Sequence, residues 1–312
     1  MPNPFFTVIT VTYNSSRFVR EAIESVLAST YKDFELIIGD DCSTDNTWQI
    51  INQYNDPRIV RYRNETNLKE YPNRNKALNM ASGEWVIFID GDDLIYPHSL
   101  SFIFDMIQKA PDVSMLLMRW FRNNIFYPIL ISPRDFYIEQ YFGEGFLGTA
   151  FSNVFFNRKI LLKNGGVSLK HVFGDDYLRM KIALSYNMMI ISDQLTFWRE
   201  TPNQASSISR KLLSSYFEKV DMDYLFLNEA TNKQIFTSTE YLQAKYNLSK
   251  SILSGIIGDL SKFKIYRAFK IYIRYKSNFI MNYSKQSIDL PLADFTPSNL
   301  LTFEKSKLRL NA

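Results

Sequence analysis

The chain has 312 residues, 46% of them hydrophobic and 22% charged, with 25 Phe, 19 Tyr and a single cysteine. This is a globular composition, and it excludes a low-complexity protein or a disulfide-stapled one, since one thiol forms no internal bridge and fits a reducing compartment. The net charge of +4 hides an asymmetry: residues 245–285 carry nine basic side chains against one acidic, leaving the remainder at −4, so the basic stretch is expected to meet an anionic surface.

Residues 5–12 read as a buried first strand leaving through Thr12-Tyr13-Asn14-Ser15-Ser16, with Ser15 or Ser16 capping a helix to about Ser29. Phe18, Ala22 and Val26 fall on one face of that helix, as packing against a sheet requires. Residues 34–39 form a second strand that ends in acid, Asp40-Asp41-Cys42-Ser43-Thr44-Asp45, and Asp45 is placed to cap a helix over 46–54. Cys42 is expected to be a small buried hydrophobe, because its acidic neighbours would raise a thiol pKa. A short strand over 59–62 and a helix over 72–81 follow. Strand and helix in alternation argue for a doubly wound parallel sheet.

Residues 85–93 then carry the strongest signal: an unbroken apolar run from Trp85 to Ile89 stops in Asp90, Gly91, Asp92 and Asp93. Such a run suits a strand buried on both faces. The carboxylates cannot follow it into the core, so they belong where it emerges, at the sheet edge where ligands bind, and clustered oxygen donors suit Mg²⁺ or Mn²⁺. The plainer alternative is an acidic turn, Gly91 allowing the bend and Asp92 or Asp93 capping the helix near Pro97. Neither a G-x-G-x-x-G nor a Walker-type loop is present, so any phosphate must be held by metal and side chains.

Beyond this point a helix over 97–110 and a strand over 113–118 are expected. Residues 120–150 are rich in aromatics, including Trp120, Phe121, Phe126, Phe136, Tyr137, Tyr141 and Phe146, and read as a packed but irregular layer. Gly174-Asp175-Asp176-Tyr177 opens a helix, where acids favour the dipole and a fixed carboxylate suits proton abstraction. A last strand over 188–191 leads to a polar loop whose Arg199 either faces a phosphate or is a surface arginine. From 211 to 283 the sequence reads as helices with joints near Thr231 and Thr237. Within 261–283, Arg267, Lys270 and Arg274 share a stripe, and Ile265, Phe269, Tyr272 and Ile273 another. That pattern suits either the headgroup layer of an anionic membrane or a packed helix with a solvated basic face. No recognised module points to nucleic acid. No run reaches the ~18 apolar residues of a membrane span, and no leader precedes the first strand, so a cytoplasmic location is expected, with peripheral contact at the inner face of the plasma membrane.

Taken in order, several of these stretches resemble the inverting glycosyltransferases of family 2, which have the GT-A fold. Asp40 to Asp45 is similar to V-D-D-G-S-T-D, Asn73-Arg74-Asn75-Lys76-Ala77 to A-R-N-x-G, Ser82 to Asp93 to A-x-G-x-Y-[IV]-x-[FL]-L-D-x-D-D, Gly174 to Tyr177 to G-E-D-[YW], and Trp198 to Ser207 to Y-R-x-H. The resemblance implies an α/β GT-A domain with a mixed, Rossmann-like sheet over 1–210, a nucleotide-sugar half to about 95 and an acceptor half beyond, followed by a helical region over 211–312. It implies that Thr12, Tyr13 and Asp41 meet a uracil beside Arg74, and that Asn14, Asp90, Asp93 and Arg199 complete the nucleotide-sugar set. Asp92 would bind Mn²⁺ or Mg²⁺, and Asp176, or else Asp175, would be the base. The implied reaction moves a hexose or N-acetylhexosamine from a UDP-sugar to a glycan or lipid-linked acceptor in bacterial surface polysaccharide synthesis; the alternative is a non-catalytic nucleotide-sugar binding protein of the same fold. Cys42 and Asn46 depart from the second motif, Asp175 stands where Glu is usual, and no histidine lies near Arg199. The processive Q-x-x-R-W signature is absent, which favours a single transfer.

Overall fold

The computed structural model describes residues 3–119, 127–192, 194–201 and 212–280. Its centre is an eight-stranded sheet in the order β3-β2-β1-β4-β8-β6-β9-β7. The strands β1 (Phe6–Thr12), β2 (Phe34–Asp40), β3 (Ile59–Arg63) and β4 (Trp85–Phe88) are mutually parallel. They match the doubly wound expectation. β8 (Val154–Asn157) then runs antiparallel between β4 and β6 (Val113–Met118), β9 (Asn187–Ile191) returns parallel to β6, and β7 (Ile129–Ile131) closes the edge antiparallel to β9. The sheet is therefore mixed.

Each central strand is apolar on both faces because helices cover both. Ile9, Ile37, Val86, Phe156 and Ile190 join one core cluster, while their neighbours Val8, Ile38, Ile87, Phe155 and Ile191 join the other, the two-residue alternation that a pleated strand imposes. The second cluster is capped by α1 (Val19–Leu27), by α2 (Thr47–Ile51) through Ile51, and by α4 (Ser99–Lys109). The first is covered by α3 (Glu70–Met80), α5 (Pro133–Phe142), α6 (Arg158–Lys163) and α7 (Gly174–Ala183).

Several expected boundaries move. α1 starts at Val19 without a side-chain cap; the Ser15 carbonyl instead accepts the amides of Phe18 and Val19 at 2.9 Å each. α2 stops at Ile51, where Gln53 and Tyr54 turn into tight bonds to Ile50 and Ile51 rather than continuing the helical ladder. α4 begins after His98, and neither Asp92 nor Asp93 caps it. Residues 133–142, read as irregular, are helical: Ser132 and Asp135 form a capping box with Pro133 at the first helical position, and Phe136, Tyr137 and Tyr141 are buried. Trp120, Phe121 and Phe126 lie outside the described residues. Two-residue strands β5 (Leu94–Ile95) and β10 (Thr196–Phe197) pair antiparallel, so 188–191 is not the last strand. Cys42 is half-buried at φ +64°, the left-handed backbone that glycine adopts freely.

The C-terminal region is helical, with α8 (Leu213–Asn232), α9 (Ser238–Ser261) and α10 (Ile265–Ile280). No helix among the described residues is long and apolar enough to cross a membrane. Met222, Phe226, Leu227 and Ala230 of α8 belong to the same core cluster as Phe88, Met115 and Phe156, so packing is continuous across residue 210. Phe226→Ala, at a site 2% exposed, is expected to lower the unfolding free energy by about 3–5 kcal/mol. Urea denaturation measures it, and a loss below about 1 kcal/mol would mean that α8 only drapes over the central sheet and its core.

Candidate active site

The parallel register brings the carboxyl ends of three strands to one edge. Thr12 pairs with Asp40, and β4 ends beside the middle of β1, so the loops after β1, β2 and β4 converge. They wall one side of an open cleft of about 1680 Å³, lined by Thr12, Tyr13, Asn14, Asp41, Arg74, Asp90, Asp92 and Asp93 on one side and by Asp175 and Asp176 on another. Single-ligand pockets run to roughly 300–1,000 Å³. There is room for two substrates.

Side chains of the first two loops are used largely to build the wall. The Asn14 amide oxygen accepts the Thr44 amide at 2.8 Å, and the Asn14 amide donates to Ser43 Oγ at 2.9 Å, tying the β1 exit to the β2 exit. Asp41, 4% exposed, accepts the backbone amides of Leu68 and Lys69 and the Asn64 side-chain amide, each at 2.8 Å. It thereby holds the loop leading into α3, including Lys69 at φ +78°. Tyr13 stands half-exposed at the mouth.

Arg74 is the floor. It projects from α3 and is 2% exposed; one guanidinium nitrogen donates to both oxygens of Asp90 at 2.6 and 2.7 Å, and the other meets Glu70 one turn earlier. Burial alone would lower the Arg74 pKa, but Asp90 and Glu70 outweigh it and the pKa rises. Enclosure in the cleft pushes the Asp90 carboxyl up despite Arg74, with Glu70 and Asp92 adding to the rise. Gly91 makes the turn possible, because a Cβ there would stand 2.6 Å from Thr12 Oγ1. Asp93 is 2% exposed; burial and the neighbouring Asp90 push it to about 7, against a bond from the Arg199 amide. The Asp92 carboxylate stands in the cleft, lightly held by Thr201 Oγ1 at 3.2 Å. Three carboxylates crowd beside one arginine, and hard oxygen donors in such excess fit a divalent cation. No group of three or more candidate metal ligands occurs among the described residues.

Arg199 does not line the cleft. Its amide donates to Asp93 at 3.0 Å, its Nε to the Asp92 carbonyl at 2.9 Å and an Nη to Glu21 at 2.6 Å, while the guanidinium lies 4.7 Å from the Phe18 ring centroid. It braces the acidic turn against α1 from behind. The segment 202–207 of the same loop lies outside the described residues.

Across the cleft, Asp175 and Asp176 open α7. Buried Arg179 donates to Asp175 at 3.0 Å and to Asp176 at 2.5 Å, and Tyr71 Oη reaches Asp175 at 3.3 Å. Further walls come from the segment 140–153 and from α8, through Ser215, Tyr216, Lys219 and Asp223, with Arg267 of α10. Burial pushes the Asp223 carboxyl up to about 6; Lys219, 4.0 Å away, opposes the rise and Asp176 adds to it. Sequence reasoning missed Glu70, Arg179, Lys219 and Asp223. The i, i+4 spacing of Glu70 with Arg74 and of Asp175 with Arg179 was a readable signal. Asp223 carried none, being one acid among several on a mixed helix.

Residues 7–165 match the family model described as Glycosyl transferase family 2. An uncharacterized glycosyltransferase of Methanocaldococcus jannaschii is 31% identical over 70% of this chain and 79% of its own length. The Campylobacter jejuni GalNAc(5)-diNAcBac-PP-undecaprenol β-1,3-glucosyltransferase is 33% identical over 52% of this chain and 54% of its own. Among solved structures, Staphylococcus aureus TarS 1–349 with UDP-GlcNAc matches 93% of this chain and 95% of its own at TM-score 0.56 and 20% identity. A Pyrobaculum calidifontis mannosyltransferase with GDP-Man and Mn²⁺ matches 91% of this chain and 88% of its own at TM-score 0.56 and 16% identity. At those identities the two structures show the fold alone, GT-A with a mixed sheet.

The raised Asp223 carboxyl gives a pH test. The folded state binds this proton more tightly than the unfolded state, so the group's stabilising contribution is full below about pH 4 and is lost as pH rises through about 6. Replacing it by Asp223→Asn should therefore raise stability at pH 7 relative to pH 4 by about 3 kcal/mol compared with the wild type. Urea unfolding of both proteins at the two pH values measures it; a pH-independent difference would place Asp223 in water.

Proposed function

Since the chain belongs to glycosyl transferase family 2 and is thus a glycosyltransferase, we propose that it is an inverting, divalent-metal-dependent enzyme that moves a hexose or N-acetylhexosamine from a UDP-sugar to a hydroxyl of a glycan or lipid-linked acceptor. We place the reaction at the inner face of the plasma membrane, in the assembly of a bacterial surface polysaccharide. The observation carrying this reading is that two separate acidic groups, Asp90 to Asp93 after β4 and Asp175 with Asp176 on α7, open onto one cleft large enough for two substrates. The UDP-GlcNAc bound to TarS and the undecaprenol-linked name of the Campylobacter relative support the donor and acceptor classes.

Residues at the β1 and β2 exits, Thr12, Tyr13, Asn14 and Asp41, line the part of the cleft assigned to the uracil, with Arg74 and Asp90 fixing its floor on the ribose side. Arg74 keeps Asp90 oriented by two charge-assisted bonds. Asp92 would hold Mn²⁺ or Mg²⁺, which when bound supplies Lewis-acid stabilisation of the diphosphate leaving group. From the opposite wall Asp176 takes the proton of the acceptor hydroxyl as that oxygen bonds to the anomeric carbon. The anomeric C–O bond breaks and its electron pair leaves with UDP. One displacement of this kind inverts the anomeric centre, by analogy with inverting glycosidases. Asp175 is the more exposed acid; it accepts from Tyr71 Oη and shares Arg179 with Asp176, which suits it to orient the pair.

UDP release from a panel of UDP-sugars, with Mn²⁺ or EDTA, is the direct test. One donor should be hydrolysed slowly, with loss of release in EDTA and in Asp92→Ala. Asp176→Asn should cut transfer to acceptor by about 10²–10⁴-fold while donor binding persists. Metal-independent release would remove Asp92 from its role, and nucleotide-sugar binding without any release would favour the non-catalytic binding protein.

A further inference from the structure

The exposed surface of the C-terminal helices is apolar where a solvated protein surface would be polar. α9 and α10 meet in a turn at Lys262, Phe263 and Lys264, where Phe263 is 90% exposed in left-handed backbone, φ +58°. α10 packs inward through Ala268, Ile271 and Tyr275. On its opposite side Ile265, Tyr266, Phe269, Tyr272 and Ile273, spaced i, i+1, i+4, i+7 and i+8, are 46–70% exposed. The last turns of α9 add Leu253, Ile257 and Leu260, at i, i+4 and i+7, each at least 44% exposed.

The sequence leaves open whether the apolar stripe packs on the protein or faces away from it; in the structure it faces out. Two cations of the basic stripe, Arg267 and Arg274, are engaged at the flank of the helix in ion pairs with Asp259 and Asp221, Arg274 at an exposed position. The outward charge is instead lysine: Lys250, Lys262, Lys264, Lys270 and Lys276 are all exposed around the apolar face, while Asp259, the one acid in 245–280, is occupied by Arg267.

We propose that the α9–α10 turn and the outer face of α10 insert into the interfacial layer of an anionic lipid bilayer. A large exposed apolar patch marks an interaction site. Lysine is depleted from protein–protein contacts but is the residue that meets anionic headgroups beside a buried aromatic face. Arg267 lines the cleft and follows Tyr266 of the exposed stripe directly, so the inserted face adjoins the α8 side of the cleft mouth. The surface deepens the proposed function, on which it rests for the lipid-linked acceptor alone.

Vesicle sedimentation without donor or acceptor separates the two ideas. The full-length chain should pellet with phosphatidylcholine vesicles containing phosphatidylglycerol and bind pure phosphatidylcholine at least about tenfold more weakly. Combined Lys262→Gln, Lys264→Gln and Lys270→Gln should weaken anionic binding roughly 100-fold at low salt, at about 1 kcal/mol per lysine. Phe263→Ser with Phe269→Ser should abolish it, leaving the melting curve and UDP release unchanged. Equal binding to both vesicle types, or none, overturns the proposal. So does a dimer in sedimentation velocity that the two Phe substitutions dissolve, which would make a second copy the occupant.

Discussion

The site depends on one buried cation. Arg74 could not be left 2% exposed without partners, because an unpaired interior guanidinium is too costly, and breaking such a pair typically costs 3–5 kcal/mol. Glu70 reaches it from one helical turn back and Asp90 from the end of the central strand. α3 is thereby locked to the β4 exit. Once Asp90 is fixed, the tight turn through Gly91 follows, and Asp92 and Asp93 project to either side of it, one into the cleft and one back toward the Arg199 loop. Burial first, and then the neighbouring Asp90 carboxylate, raise the Asp93 carboxyl, so charge at this turn is costly to hold.

Asp41 does the corresponding work for the loop preceding α3. By accepting the amides of Leu68 and Lys69 it holds Lys69 in a backbone conformation that an L residue rarely adopts. The strain sits at the entrance to the helix that carries Glu70 and Arg74, so the acidic end of β2 positions the cation that orders the acidic end of β4. Carboxylates at the ends of two parallel strands that flank β1 cooperate here through a third element, without touching.

What was legible in the sequence follows from which signals are local. Apolar runs broken by acid place strand ends, and parallel pairing of β1 to β4 then obliges those ends to share an edge, so Thr12, Asp41 and Asp90 to Asp93 were recoverable from pattern alone. Helix α5 was missed because Phe136, Tyr137, Tyr141 and Phe142 are mediocre helix formers whose burial decides the matter, although Ser132-Pro133-Arg134-Asp135 spelled out its start. β5 and β10 are two residues each, too short for any periodicity. Arg199 drew attention as a phosphate ligand on charge, yet charge does not say which way a side chain turns, and Glu21, distant in sequence, decides it. The same blindness left the orientation of α10 open: amphipathic spacing separates two faces but does not name which one meets the protein.

The family model ends at residue 165, while the cleft does not. The side proposed to hold the donor is built from loops that the family pattern describes. Asp176, Lys219, Asp223 and Arg267 all lie beyond it, three of them on helices that begin after residue 210. Because Phe226 and Leu227 pack α8 into the central core, Lys219 and Asp223 are anchored to the same core as the strand ends they face. Under the proposed function, one hydrophobic core joins a donor wall that the family pattern covers to an acceptor wall beyond it. The helices proposed to meet lipid then belong to the half of the molecule that would receive the acceptor, where a membrane-borne substrate would arrive.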